Sequence, residues 1–286
     1  MSAKLFTPQS LPYIPTLLLK AALKRPQHIA HPCLPDTVLR CQGMQVAGDR
    51  QRAYQSLLPW PQQGAVHPAW IHCLAMPLHL MLLLDKGFPF RVMGLVHMEN
   101  QITQYRALGL DEKLDIVCEL ADLQPHRLGW QFSIVTKVTS ADVLIWEAKS
   151  INLARHGKAP AKTLSSVQDL QQVDEIWHLD DDLGRQYAKV SGDYNPIHLY
   201  PWSARLFGFN APIAHGMWSK ARCISALSSV LGERFRISVS FRKPILLPCD
   251  IGFYAHSEPQ GGRFGLLSAD GLSTHFSGDY ECLTGR

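Results

Sequence analysis

The run YAKVSGDYNPIHLYPWSARLFGFNAPIAHGM, Tyr187–Met217, sets Asp193, Asn195, His198 and His215 among glycines and prolines. So many turn-formers predict neither an ordinary helix nor a strand. Gly192, Asn195 and Pro196 force a turn, and Asp193 lies five residues before His198, so one loop aims a carboxylate and an imidazole at a common point. Such a pair can hold one water and exchange protons with a substrate. Asn195, between them, either caps the loop through the backbone or orients that water. The plain alternative is an Asx-type turn at Asp193 and Asn195, with His198 a satisfied core histidine.

The next residues, GFNAPIAHGMW, favour the chemical reading. Pro212 and Gly216 allow a tight entry into a helix, whose first backbone N–H groups have no acceptor within it. Free donors at the positive helix end make an anion hole, able to polarise a carbonyl oxygen and stabilise charge developing on it. Gly216 could instead be a packing glycine. His215 invites a metal reading with His198 and Asp193, but no third and fourth ligand follows at metal spacing, so none is expected. Trp202, Phe207, Phe209 and Trp218 supply apolar surface, as core or as an acyl-chain wall.

Outward from this run, two apolar segments read as buried helices, each followed by strands. The first is HPAWIHCLAMPLHLMLLLDKG, with Pro68 near its start, Gly87 past its end and Pro77 expected to kink it. The second, IAHGMWSKARCISALSSVLG, places Met217, Ala221, Ile224, Leu227, Ser228 and Leu231 on one face and ends at Gly232. Alternating or β-branched stretches follow both: residues 91–108, 113–123 and 129–154 after the first, 234–257 and 262–283 after the second. Val96 and Ile102 share a six-residue spacing with Val239 and Ile245, which adds to the case for an internal duplication. The polar ARHGKAPAKTLSSVQDLQQ reads as a linker, dividing the chain into 1–165 and 166–286. A helix wrapped by a curved antiparallel sheet, twice over, predicts an α+β double hotdog.

Composition bounds the partners. There are 286 residues, enough for two domains that each bury a core. The 28 basic and 24 acidic residues give a net charge of +4 without any Lys/Arg block, which argues against nucleic acid and leaves room for phosphate-bearing molecules or an acidic carrier protein. Seven cysteines without a C-x-x-C pair predict reduced thiols, and the N-terminal residues carry no signal-peptide pattern, so the expected location is the cytoplasm. Thr16–Lys24 reads as an amphipathic helix packed on its own protein rather than on a membrane.

The segments SGDYNPIH, then Ala204, FGF and PIAHGM, resemble the signature of the MaoC-like dehydratase family, which includes (R)-specific enoyl-CoA hydratases and has the hotdog fold. The likeness spans about thirty residues; the rest of the C-terminal half agrees only in its pattern of elements. It implies a catalytic dyad of Asp193 and His198, support from Asn195, and a carbonyl-binding N–H at Gly216. Ser191, Pro196, Ile213, His215 and Met217, interleaved with these, are expected to line the substrate site. The implied reaction is addition of water to a trans-2-enoyl thioester of coenzyme A or acyl carrier protein, or its reverse, without metal or redox cofactor. The N-terminal half has no G-D-x-N-P-x-H and no acid five residues before a histidine, so its site is expected to be absent. In double-hotdog relatives such a half serves as scaffold and shapes the acyl pocket. A hotdog thioesterase and a non-catalytic acyl-binding subunit are the rival readings, and the oligomeric state stays open, a homodimer included.

Overall fold

The alternating segments become strands of one sheet. The computed structural model describes residues 3–27, 31–62, 64–155 and 172–284. Its elements run β1 (Lys4–Phe6), α1 (Ile14–Leu23), β2 (Val38–Gln45), α2 (Asp49–Leu57), α3 (Trp70–Leu83), β3 (Val96–Gln104), β4 (Lys113–His126), β5 (Gly129–Ser140) and β6 (Val143–Arg155). Then come β7 (Glu175–Leu179), α4 (Leu183–Ser191), α5 (Pro201–Arg205), α6 (Gly216–Ala226), β8 (Phe235–Phe241), β9 (Cys249–Glu258), β10 (Gly261–Ser268) and β11 (Thr274–Cys282). The strands lie in the order β1-β2-β4-β5-β6-β3-β8-β11-β10-β9-β7, antiparallel throughout except for β1 with β2.

Around the β3–β8 seam, where Ile102 faces Ile237, the order β2-β4-β5-β6-β3 is mirrored by β7-β9-β10-β11-β8. This is the α+β double hotdog, and the duplication shows in the order of elements. The residue spacing does not carry it. Val96, Ile102 and Val239 lie in strands, but Ile245 falls beyond the end of β8, where its carbonyl accepts the Ala214 N–H at 2.9 Å. The boundary expected near residue 165 lies outside the described residues.

One apolar core fills both halves, from Leu39 and Ile71 through Ile102 to Phe235 and Tyr280. Helix α6 is fixed under the seam by Lys220, fully buried, whose Nζ donates to Asn100 O at 2.9 Å, Asn100 Oδ1 at 2.7 Å and Ile237 O at 3.0 Å. Its first turns are as expected, but it ends at Ala226 and not at Gly232, and the chain continues in turns. Helix α3 runs unbroken through Pro77. The amide hydrogen that proline lacks would have served Cys73 O, and Arg50 Nη2 donates there instead, at 3.2 Å. Helix α1 buries Ile14 and Leu17 against Leu80, so it packs on its own protein.

Candidate active site

The opening run does contain regular structure. It begins in the last turns of α4, passes through a 3-10 turn at Pro196–His198, and includes the short α5. Sequence reading missed these because Gly192 and Pro196 mark the borders of short helices as readily as those of a loop. Gly192 ends α4 in the left-handed conformation, φ +84°, which glycine takes without strain. Gly184 matters more for the site. A β-carbon there would stand 1.9 Å from His198 O, so only glycine lets α4 lie directly on the turn that carries His198.

Asp193 and Asn195 form the Asx turn: Asn195 N–H donates to Asp193 Oδ1 at 3.1 Å, and Ile197 N–H to Asn195 Oδ1 at 3.4 Å. The turn and the chemistry are compatible, because the turn leaves Asp193 Oδ2 free and aims it. His198 Nδ1 must donate to Ile213 O, 2.7 Å away, since a carbonyl only accepts. Its Nε2 then carries the lone pair. By the same logic His215 Nε2 donates to Asp193 O at 3.0 Å. The rings of His198 and His215 stack with centroids 3.7 Å apart, and Tyr187 closes the far side of His215 at 4.9 Å.

A carboxylate oxygen of Asp193 and ring nitrogens of His198 and His215 all lie within 4.8 Å of one another. That spacing is within reach of a metal, although the His215 Nε2 carries a proton and donates it to the Asp193 carbonyl. The spacing equally suits one bridging water.

Burial decides the charges. It pushes His215 down to about 3, with His198 beside it adding to the effect, and burial also lowers His198. For Asp193 burial acts upward, but His215, His198 and the Asn195 N–H outweigh it and the carboxyl ends below its usual range. At neutral pH the site therefore holds one carboxylate and neutral imidazoles.

Gly216 is the first residue of α6, so its N–H has no partner within the helix. A β-carbon there would lie 2.9 Å from Phe241 Cε1, which shows how closely α6 enters against β8. The packing reading of this glycine therefore holds, and its position at the helix start is compatible with the donor reading.

A cavity of about 650 Å³ gathers Ser191, Asp193, Asn195, His198, Ile213, His215, Gly216 and Met217 along its wall. Of the expected lining residues Pro196 is not on that wall; its carbonyl accepts Ser203 Oγ–H at 2.7 Å and ties the turn to α5. Ser191 also steadies the loop, since its Oγ accepts Asp193 N–H at 3.1 Å. Phe207 and Phe209 join the wall, whereas Trp218 is core and Trp202 is exposed. The N-terminal half lines this cavity, in line with the pocket-shaping part expected of it, through residues that sequence reading did not name: His72, Met76, His79, Leu80 and Leu83 of α3, His97 of β3, and Ser150 and Asn152 of β6. The seven-residue spacing of His72 and His79 was the available signal, since it puts both on one helix face.

Fold and loop together define an acid–base site inside a double hotdog, with a helix N-terminus facing the same cavity. Residues 163–265 match the family model for the MaoC like domain. Among curated proteins, the 3-hydroxyacyl-thioester dehydratase X of Mycobacterium tuberculosis is 29% identical over 80% of this chain and 83% of its own. The crystal structure of HtdX of Mycobacterium tuberculosis superposes with a TM-score of 0.76 at 27% identity, covering 86% of this chain and all of that one. A MaoC-like dehydratase from Phytophthora capsici shares the fold, with a TM-score of 0.68 at 17% identity over 88% of this chain and 97% of that one. The chain thus carries a MaoC like domain over residues 163–265 and is similar over most of its length to dehydratases that act on 3-hydroxyacyl thioesters.

Proposed function

We propose that the protein interconverts trans-2-enoyl and (3R)-3-hydroxyacyl thioesters of the fatty-acid type, with Asp193 and His198 handling the water. The observation that carries this reading is the pinned tautomer of His198: Nδ1–H held by Ile213 O, Nε2 unprotonated and within one water's span of an ionised Asp193. Both groups are acceptors, so they hold a water by its two hydrogens. In hydration the water oxygen bonds to C3 as one of the pair takes its proton, and the C2–C3 π electrons move toward the thioester oxygen. The Gly216 N–H stabilises that enolate-like oxygen, by roughly 3 kcal/mol if it matches other oxyanion donors. The proton then passes to C2 from the same face. Dehydration is the reverse, through the same groups.

The names of relatives that act on 3-hydroxyacyl thioesters support the substrate class, and the family resemblance supports the R configuration. Arg155, Arg242 and Lys243 on the cavity wall favour an anionic carrier, coenzyme A or acyl carrier protein. Residues 1–165 act in this reading as a hotdog without its own site, and 166–286 as the catalytic one. Among the described residues no helix is long and apolar enough to cross a membrane. Free cysteines at all seven positions suit a reducing cytosol.

The test is turnover of trans-2-enoyl thioesters. Asp193→Asn and His198→Ala should each lower kcat at least about a hundredfold with little change in substrate binding, and the double variant should be scarcely worse than the poorer single. Wild-type rates in both single variants, or release of free thiol from saturated acyl thioesters by the wild type, would refute the proposal.

A further inference from the structure

The N-terminal wall of the cavity is more polar than an alkyl chain requires. His72 is 7% exposed, it lines the cavity, and its Nδ1 is sealed in protein with no hydrogen-bond partner. A buried lone pair is tolerated more readily than a buried orphan N–H, so the proton belongs on Nε2, the nitrogen left to face the cavity. Burial brings His72 down to about 4, aided by Lys220, so this is a neutral donor and not a cation.

Its surroundings supply an acceptor. His97 stands nearly parallel to His72, with centroids 6.3 Å apart, and His79 meets His72 edge-on at 5.1 Å while its own Nε2 is bonded to Thr136 Oγ1. Asn152 faces His97 directly across the β3–β6 ladder, which places the two side chains on one side of the sheet. Asn152 Nδ2 donates to Ser150 O at 3.1 Å, leaving Oδ1 to accept. The neighbouring wall is apolar: Met76, Leu80, Leu83, Leu95 and Ile134. A donor and an acceptor set in a hydrocarbon wall are costly to leave unpaired, about 1–3 kcal/mol each, and they discriminate sharply between chains that pair with them and chains that do not.

We propose that His72 and Asn152 recognise an oxygen function on the acyl chain, a hydroxyl or keto group beyond the reacting carbons, so that the preferred substrates are oxygenated enoyl or hydroxyacyl thioesters and not plain alkyl ones. The inference rests on the hydration reading given above and deepens it.

Its test compares trans-2-decenoyl-CoA with analogues bearing a single hydroxyl at C6, C7, C8 or C9, with crotonyl-CoA as a substrate whose chain ends one carbon beyond the reacting double bond. At least one hydroxylated chain should exceed decenoyl-CoA in kcat/KM by about tenfold, the worth of one hydrogen bond. His72→Leu should erase that preference; His72→Gln should keep part of it. If His72→Leu does not fold, Asn152→Leu carries the same expectation. A wild type that turns over crotonyl-CoA but favours plain decenoyl-CoA over all four analogues overturns this inference and leaves the hydratase reading intact, as does a preference that survives both leucine variants. A wild type inert toward crotonyl-CoA and toward all five long-chain thioesters overturns the hydratase reading instead. Calorimetric binding of the same five long-chain thioesters to wild type and His72→Leu then decides on His72: tighter binding of a hydroxylated chain, lost in the variant, supports the inference, and equal binding overturns it.

Discussion

Replacing Gly216 by alanine isolates the role of the helix N-terminus. The added β-carbon would lie 2.9 Å from Phe241 Cε1 and 3.2 Å from its Cδ1 and Cζ, while ordinary contact begins near 3.4 Å. About half an ångström must be found, either by turning the Phe241 ring or by lifting the first turn of α6. The ring is hemmed in by His97 at 5.1 Å and Phe276 at 6.0 Å, so part of the movement falls on the helix start and on its N–H. A misplacement of about 1 Å can cost on the order of a hundredfold, and outright loss of an oxyanion donor roughly 3–4 kcal/mol. Half that displacement should lower kcat on a trans-2-enoyl thioester about tenfold to a hundredfold, with KM nearly unchanged because the donor acts mainly as charge develops. The assay is loss of the conjugated enoyl thioester absorbance under saturating substrate. Gly216→Ala combined with Phe241→Leu, which removes the clashing ring edge, should recover most of the rate. Full activity in Gly216→Ala, or no recovery in the double variant, would refute the placement of this N–H.

Stability should fall with acid. His67, His72 and His215 are buried and held near 4, 4 and 3, chiefly by desolvation, while the unfolded chain protonates its histidines near their ordinary value. Below that value the unfolded state binds the extra protons, so the stability is complete above about pH 6.5 and is lost as the pH falls toward 4. Each such histidine contributes roughly 1.4 kcal/mol per pH unit near pH 5, so urea midpoints should drop steeply between pH 7 and about pH 5; equal midpoints would contradict this. His67→Ala should leave turnover on a short substrate within a few-fold yet lower the denaturation midpoint by about 1–3 kcal/mol of stability, since Nε2 meets Ala221 O at 3.1 Å and Nδ1 accepts Ala69 N–H. A folded His67→Ala protein without turnover would mean that the N-terminal half takes part in the chemistry.

What could be read in the sequence was whatever local chemistry forces. Asp193, Asn195 and His198 lie close in the chain, so a tight turn brings them together whatever the rest does. The central helices were legible because long apolar runs can only be buried. Short elements were not: α4 spans nine residues and its border with the loop is set by one left-handed glycine, and β7 is five residues long with Trp177 and Leu179 as its buried side chains. The place of His97 and Asn152 on the cavity wall was out of reach, because it depends on the β3–β6 register and on how α3 seats against the sheet. Gly184 was equally silent, since its requirement comes from the His198 carbonyl pressed against it.

The duplicated halves differ in the residues that the proposed mechanism uses. In the C-terminal half Tyr187 packs on His215, His198 stacks on it, and Gly216 follows with a free N–H. In the N-terminal half Tyr54 packs on His67 at 5.6 Å, and the second ring on His67 is Trp60, edge-on at 5.5 Å; the residue after His67 is Pro68. Proline has no N–H to offer a thioester oxygen. An indole has no basic nitrogen to hold water. Between 49 and 66 the sole acid is Asp49, which is exposed and bonded to Arg52. Each part of the mechanism is thus missing for its own chemical reason while the packing frame remains, with His67 now spanning to Ala221 of the other half. In the proposed reading a half with no site of its own lends its helix to the neighbour's pocket, and α3 lines the cavity wall from His72 to Leu83.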